Sequence, residues 1–421
     1  MQSYKKLNFI VGSFFMMGIS NFAIASNPHD VKELPERIKK LEEKVFSEEK
    51  LNNMARSEAA ETRINFYGNI RVDMAYDFVA STNTVNNKTG MIPLENTNPT
   101  EKAFNVSIAT SRLGLNIVRL TPYGDLLGKL EADFWGEGTS NNDGRFRVRQ
   151  AYGSIGNWLV GQTASPFVNI DTSPELVDFT GSMGGGTQRN VQIRYSKALN
   201  NKNNIILALE GGDIDNFTGK DQSSGGSQYP ALTLRYDLKS LDQSKLLQLH
   251  GMMHNNRVSL NNNLKEDKWG WGVGIGAKIK ASEKDIFTAN YYHVEGDSRY
   301  LHYANQNNVA FSVTNISNES AEHIGFSIQP NKYNTAQIGY QHQWLPHFRS
   351  NISFAAMKFN DNQGYAKPQY NKELKNIIFN TIYSPVKNVD LGAEYTYGTR
   401  KTFANDEGKM SRINLLSRYH F

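Results

Sequence analysis

The chain of 421 residues contains no cysteine. A disulfide scaffold is therefore excluded, and an exported chain of this size must rest on a large core or a closed sheet. Long apolar runs are also missing. A membrane-crossing helix needs about 18 or more apolar residues. The longest candidate, Leu7 to Ile19, is too short, and nothing later approaches it. A bundle of transmembrane helices is excluded. Helical periodicity is absent after residue 60, which argues against an ordinary mixed globular fold. No serine sits in a nucleophile-elbow pattern, and no catalytic triad is visible, so no enzyme, catalytic residue or cofactor is expected.

The short apolar run has another meaning. Lys5 and Lys6 precede it, and Ala23-Ile24-Ala25 forms a small-x-small site after it. This is the pattern of a cleaved secretory signal peptide over residues 1–25. The mature chain is expected to begin at Ser26. Removing Lys5 and Lys6 would lower the formal net charge from +5 to +3. Mean hydropathy is −0.54. That value fits a soluble protein and fits a polar-lined barrel equally well, because half of every barrel strand is polar.

Residues 26–62 are rich in Glu and Lys and read as a periplasmic helix. Pro35 suits a first helical turn. Ile38, Leu41 and Val45 follow heptad spacing, but the pattern then lapses. A solvated amphipathic helix and a short oligomerising coiled coil both fit.

From Ile64 onward the period is two. Ile70, Val72, Met74 and Tyr76 alternate with Arg71, Asp73 and Asp77. Leu113, Leu115 and Ile117 alternate with Arg112 and Asn116, and Leu130, Ala132 and Phe134 with Glu131 and Asp133. Val191, Ile193 and Tyr195 alternate with Gln192 and Arg194. At the end, Ile413, Leu415, Tyr419 and Phe421 share one face, and Arg412, Asn414, Arg418 and His420 the other. Successive strand side chains point to opposite faces. Apolar outside, polar inside and aromatic at the rim is the pattern of a transmembrane barrel. The connections alternate between short and long, as periplasmic turns and outer loops do. Long ones are read at 79–102, 164–189, 214–228, 257–268 and 361–373. A simple pass finds one strand too many for an even count. Assigning residues 298–333 to one long outer loop, with a pattern that allows a hairpin, leaves about 16 strands. The predicted fold class is thus all-β, a transmembrane antiparallel barrel of about 16 strands over residues 63–421.

The candidate site is electrostatic. Arg145, Arg147 and Arg149 share one strand face, with Arg112 and Arg194 on nearby strands. At mid-depth toward lipid each arginine would cost about 2–4 kcal/mol, so a water-filled lumen is the consistent place. The loop 164–189 carries Asp171, Glu175 and Asp178. Folded inward, it would set acids against arginines across a constriction, and such rings select permeants by charge. The alternative is that the arginines form structural ion pairs with Glu131 and Asp133. Two decoys fail. Gly270, Gly272, Gly274 and Gly276 alternate strictly with no helix after them, so they mark a close neighbour on a strand, not a dinucleotide site. His250 and His254 lie about 13 Å apart on a strand, too far to share an ion. No metal site is expected.

Several segments resemble the DcaP-like outer-membrane porins. They are Leu130-Glu131-Ala132-Asp133-Phe134-Trp135-Gly136, the arginine strand ending Ala151-Tyr152-Gly153, and Gly161-Gln162-Thr163-Ala164-Ser165-Pro166. Gly339-Tyr340-Gln341-His342-Gln343-Trp344 followed by Arg349-Ser350-Asn351, and Tyr383-Ser384-Pro385-Val386, complete the set. The resemblance implies a homotrimer of 16-stranded barrels, an N-terminal coiled coil, and uptake of small anionic solutes such as dicarboxylates. The location implied is the outer membrane of a Gram-negative bacterium. By resemblance to other outer-membrane proteins, the terminal aromatics Tyr419 and Phe421 are read by the barrel assembly machinery. The other expected partners are the lipid bilayer and lipopolysaccharide; no nucleic-acid partner is expected. A structural or adhesive outer-membrane protein, touching the cell wall through its N-terminal segment, is the competing function.

Overall fold

The computed structural model describes residues 62–121, 123–136, 144–185, 188–211, 222–260, 265–302, 311–317, 324–360 and 368–421. The leader expected at 1–25 and the helix expected at 26–62 lie, residue 62 apart, outside these residues.

The described chain forms one antiparallel sheet that closes on itself. The first strand, Arg63–Val79, pairs with the last, Glu407–His420, in register from Asn69↔His420 to Val79↔Ser411. The sheet has 18 hydrogen-bonded segments, but two strands are each interrupted. Ala103–Ser107 and Arg112–Arg119 pair with successive halves of the first strand. Gln222–Gly226 pairs with the outer end of Lys245–Leu260, and Ala231–Lys239 with the rest of it. Counting each as one gives a closed barrel of 16 strands. Closure leaves no sheet edge unpaired, which is what allows a sheet to cross a bilayer.

The alternation seen in the sequence becomes an inside-out core. Phe66 is 73% exposed, Val191 61% and Ile338 58%, all on the outer surface. A continuous apolar exterior of this extent has no place in water; it faces lipid. The inward face is polar and buried, with Asp73, Glu131, Asp133, Arg149, Arg194, Glu210 and Arg412 among its residues. Several inward charges sit where a neighbouring strand supplies a partner. Arg412 and Asp77, both fully buried, meet through Nε–Oδ1 at 2.6 Å and Nη2–Oδ2 at 2.9 Å.

Between the strands Asp285–Glu295 and Lys332–Leu345, Tyr300 and Leu301 pack inside the barrel against Phe167, and the Tyr300 hydroxyl donates to Glu210. Phe311–Ser317 and Ile324–Pro330 pair only with each other, as a separate hairpin. One connection differs from expectation. Residues 257–268 form no long loop, because strands run to Leu260 and restart at Lys265, with Arg257 opposite Asp267. Polar Asn and Lys residues read as loop there. At a barrel rim the ladder needs no apolar side chains, and Arg257 and Asp267 pair instead, Nε–Oδ1 at 2.8 Å.

Two long connections turn into the barrel. Residues 80–92 lie against the strands Asn371–Tyr383, Val389–Thr402 and Glu407–His420. Arg400 donates to the Ile92 carbonyl, Arg412 to that of Thr84, and Asn414 to that of Val85. The second is the loop after Ala164.

Candidate permeation site

The arginine group is built by a bulge. Between Leu126–Gly136 and Arg145–Ile155, Glu131 pairs with Gln150 but Ala132 with Val148. Arg149 is the extra residue, so Arg149 and Gln150 both turn inward while Val148 and Phe146 stay outside. A bulge re-aims side chains in this way. Asp133 then accepts Arg147 Nε at 2.9 Å and Nη2 at 2.6 Å, and Arg149 Nη1 at 2.7 Å. Glu131 accepts Arg149 Nε at 3.2 Å and the Tyr67 hydroxyl at 2.9 Å. Arg112 stands 3.5 Å from Glu131, and its Nε, among the described residues, has no partner.

Of the predicted cations, the structure joins Arg112, Arg147 and Arg149 on two carboxylates. Arg194 lies on the adjoining wall, bonded by Nε to Gln192 at 2.9 Å and by Nη2 to the Ala164 carbonyl. Arg145 departs from expectation. It lies exposed at the outer end of its strand, opposite Gly136, because the ladder there skips residues.

Residues 165–185 fold inward and follow the wall. Pro166 accepts from His250 Nδ1 at 2.8 Å. Phe167 packs on Tyr292 and Tyr300, with ring centroids 5.3 and 5.7 Å away. Thr172 bonds Asn290, Glu175 bonds Arg349, and the Val177 and Asp178 amides bond Glu394. His250, Asn290, Arg349 and Glu394 lie on every second strand round this part of the barrel. The glycine row marks the track. A Cβ on Gly272 would come within 2.8 Å of Phe167 and one on Gly276 would meet Thr172, so these two let the loop lie close, while Gly270 and Gly274 make room for His254 and Tyr292 on the wall. The loop then leaves the wall. Phe179 sits at the arginine group, while the Gly184 carbonyl accepts from Thr335 across the barrel.

The loop's acids do not face the arginine group as expected. Asp171 lies 3.8 Å from Arg235, and Gln248 donates to it. Glu175 grips Arg349 with Nε–Oε2 at 2.8 Å and Nη2–Oε1 at 2.7 Å. Asp178 is buried and accepts from the Asn87 amide at 2.6 Å and from Thr180. Burial pushes its carboxyl above the usual carboxylate range, against those bonds. The reason is local. Arginines on the opposite wall are buried, and a buried charge needs a partner more than a wet one does. Asp171 and Glu175 still keep about a third of their side chains exposed, 31% and 33%.

Sequence reasoning missed Phe179, Glu394 and the inward turn of residues 80–92. It also passed over the pair Arg71–Asp73, joined by Nη2–Oδ1 at 2.6 Å. Arg71 and Asp73 were visible as inward polar positions of the first strand. The glycine row was the signal for the loop's track, and at Gly272 and Gly276 its close neighbour was the loop. The terminal aromatics Tyr419 and Phe421 lie at the short-turn rim, 49% and 44% exposed, with ring centroids 6.4 Å apart.

A closed 16-stranded barrel, apolar outside, charged inside and crossed by an inward loop, defines the channel-forming porins of the outer membrane. A family model described as DcaP outer membrane protein matches residues 37–421. The chain belongs to that family. Among solved structures it is similar to the outer membrane channel DcaP of Acinetobacter baumannii, at 29% identity and TM-score 0.75, covering 87% of this chain and 99% of that one. The barrel also resembles an anion-selective porin from Comamonas acidovorans (13% identity, TM-score 0.56, 86% and 100% covered) and OmpF of Salmonella typhi (13%, 0.54, 88% and 99%). At that identity the likeness concerns the fold alone. No curated protein sequence matches the chain.

Proposed function

We propose that this outer-membrane channel passes small hydrophilic solutes by passive diffusion through its water-filled lumen and favours anions, dicarboxylates among them. The observation that carries the reading is an asymmetry of charge round the lumen. On the wall from Arg112 to Ala198, the inward cations are Arg112, Lys129, Arg147, Arg149, Arg189 and Arg194, against Glu131 and Asp133. On the facing wall most arginines have a carboxylate: Arg235 has Asp171 and Asp237, Arg349 has Glu175, Arg412 has Asp77 and Arg418 has Asp390, while Arg400 bonds Asn371 and the Ile92 carbonyl. Low-dielectric walls focus the field of the cation-rich side and raise the local concentration of anions. A narrow lumen makes that field act on every permeant.

The same reading includes export with a cleaved leader over residues 1–25, a periplasmic segment over 26–62, and assembly as a homotrimer. The trimer is what the resemblance to the DcaP-like porins implies. The bilayer, lipopolysaccharide and the barrel assembly machinery complete the expected partners, the last reading Tyr419 and Phe421.

Swelling of liposomes carrying the purified protein tests the solute class. Dicarboxylates should enter faster than neutral or cationic solutes of equal size. Equal rates for all three would remove the anion preference, and no swelling would remove the channel reading.

A further inference from the structure

Phe179 holds a position that the charge argument does not use. Its ring lies 5.5 Å from the guanidinium carbon of Arg71, 6.0 Å from that of Arg147 and 5.3 Å from that of Arg149. Trp135 lies beside it, with centroids 6.4 Å apart at 45°. The three guanidiniums already have their edges engaged. Arg71 bonds Asp73 through Nε and Nη2, Arg147 bonds Asp133 likewise, and Arg149 bonds Glu131 and Asp133. Those bonds lie in the guanidinium planes, so the flat faces remain, and an aromatic ring attracts a cation to its own face.

The neighbouring backbone aims the ring. Glu394 accepts from the amides of Val177 and Asp178 at 2.6 and 3.1 Å, and Arg71 Nη2 donates to the Val177 carbonyl at 2.6 Å. Arg71 therefore touches the loop twice, at a carbonyl and at the ring. Phe179 is half-buried, so its remaining surface meets the lumen.

We propose that Phe179 is a specificity-determining residue: its ring seats the inward loop on Arg71, Arg147 and Arg149 and screens those cations from permeating anions. Arginines that would otherwise dominate the lumen are held by carboxylates at their edges and by the ring at their faces. The strength of the anion preference is then set by how much of the group the ring leaves uncovered. This rests on the channel reading above.

The test uses single-channel recording of the full-length protein and three variants in a planar bilayer under a salt gradient. Phe179→Ala should raise conductance and shift the reversal potential further toward that of the anion. Phe179→Leu keeps most of the volume but lacks the ring's charge distribution; it should shift the potential in the same direction and add open-channel noise. Phe179→Tyr should behave as the unaltered protein does. If Phe179→Leu matches the unaltered protein, the ring only fills space and the proposal fails. It fails equally if Phe179→Ala changes neither conductance nor potential. Migration of unheated against heated protein on a gel shows that each barrel is folded. An unaltered protein that conducts nothing would instead overturn the channel reading, so the two failures are distinguishable.

Discussion

Replacing Glu394 with Ala should loosen the constriction without opening the barrel. Glu394 is 2% exposed and accepts from the Val177 amide, the Asp178 amide and Asn380 Nδ2. A hydrogen bond contributes about 0.5–1.5 kcal/mol net, and a buried amide left without its acceptor costs about 1–3 kcal/mol. Two of the three hold the loop, but the lumen is wet, and water will fill the space left by the side chain. A net loss of about 2 kcal/mol from loop docking is expected once those waters form their own bonds. At about 1.4 kcal/mol per tenfold, the ratio of docked to undocked loop falls roughly 30-fold. The loop keeps other anchors, Glu175 on Arg349 and Asp178 on the Asn87 amide. The strands Asn371–Tyr383 and Val389–Thr402 keep their full ladder. Single-channel traces of Glu394→Ala should therefore show frequent brief excursions to a higher conductance, in a barrel that still migrates as folded when unheated. Traces with the same noise and the same mean conductance would refute the reasoning, because they would mean that the loop does not depend on this carboxylate.

Three further outcomes follow from the same geometry. Gly272→Val places branched carbons where Phe167 lies, 2.8 Å from even a Cβ; displaced from its track, the loop should become cleavable by added protease at sites where the unaltered protein resists. Arg412→Ala leaves Asp77 buried and unmatched, a change that costs about 3–5 kcal/mol, and it should lower the temperature at which the barrel loses its compact gel migration. Arg112→Ala with Arg194→Ala removes two of the six inward cations of the cation-rich wall and should weaken the anion preference in the reversal potential; an unchanged value would take both residues out of the permeation path.

Much of this architecture is legible in the chain because a barrel writes its inside and outside residue by residue. The alternation of Ile413, Leu415 and Tyr419 against Arg412, Asn414 and Arg418 is the exterior and the lumen of the closing strand. Strand parity alone removes an extra strand from residues 298–333, where the hairpin Phe311–Ser317 with Ile324–Pro330 stands apart, although Lys332 and Tyr333 already belong to the wall. The interior of the lumen is less legible, because contacts between a loop and a wall have no period. Asp171 and Glu175 read as charges available to the lumen, yet buried arginines far along the chain draw both toward the wall. Phe179 is one aromatic residue among 22 phenylalanines, and only its meeting with three arginines from two strands gives it a role. The bulge at Arg149 is also hidden, since a period of two predicts that Arg149 and Gln150 point to opposite sides.

The reversal potential of the unaltered protein in a planar bilayer under a salt gradient tests the central claim most directly. The cation-rich wall of Arg112, Lys129, Arg147, Arg149, Arg189 and Arg194 predicts discrete conducting steps whose potential lies on the anion side of zero, and a preference that falls as salt rises and screens the wall. A potential on the cation side, or no steps from a folded barrel, would contradict the account.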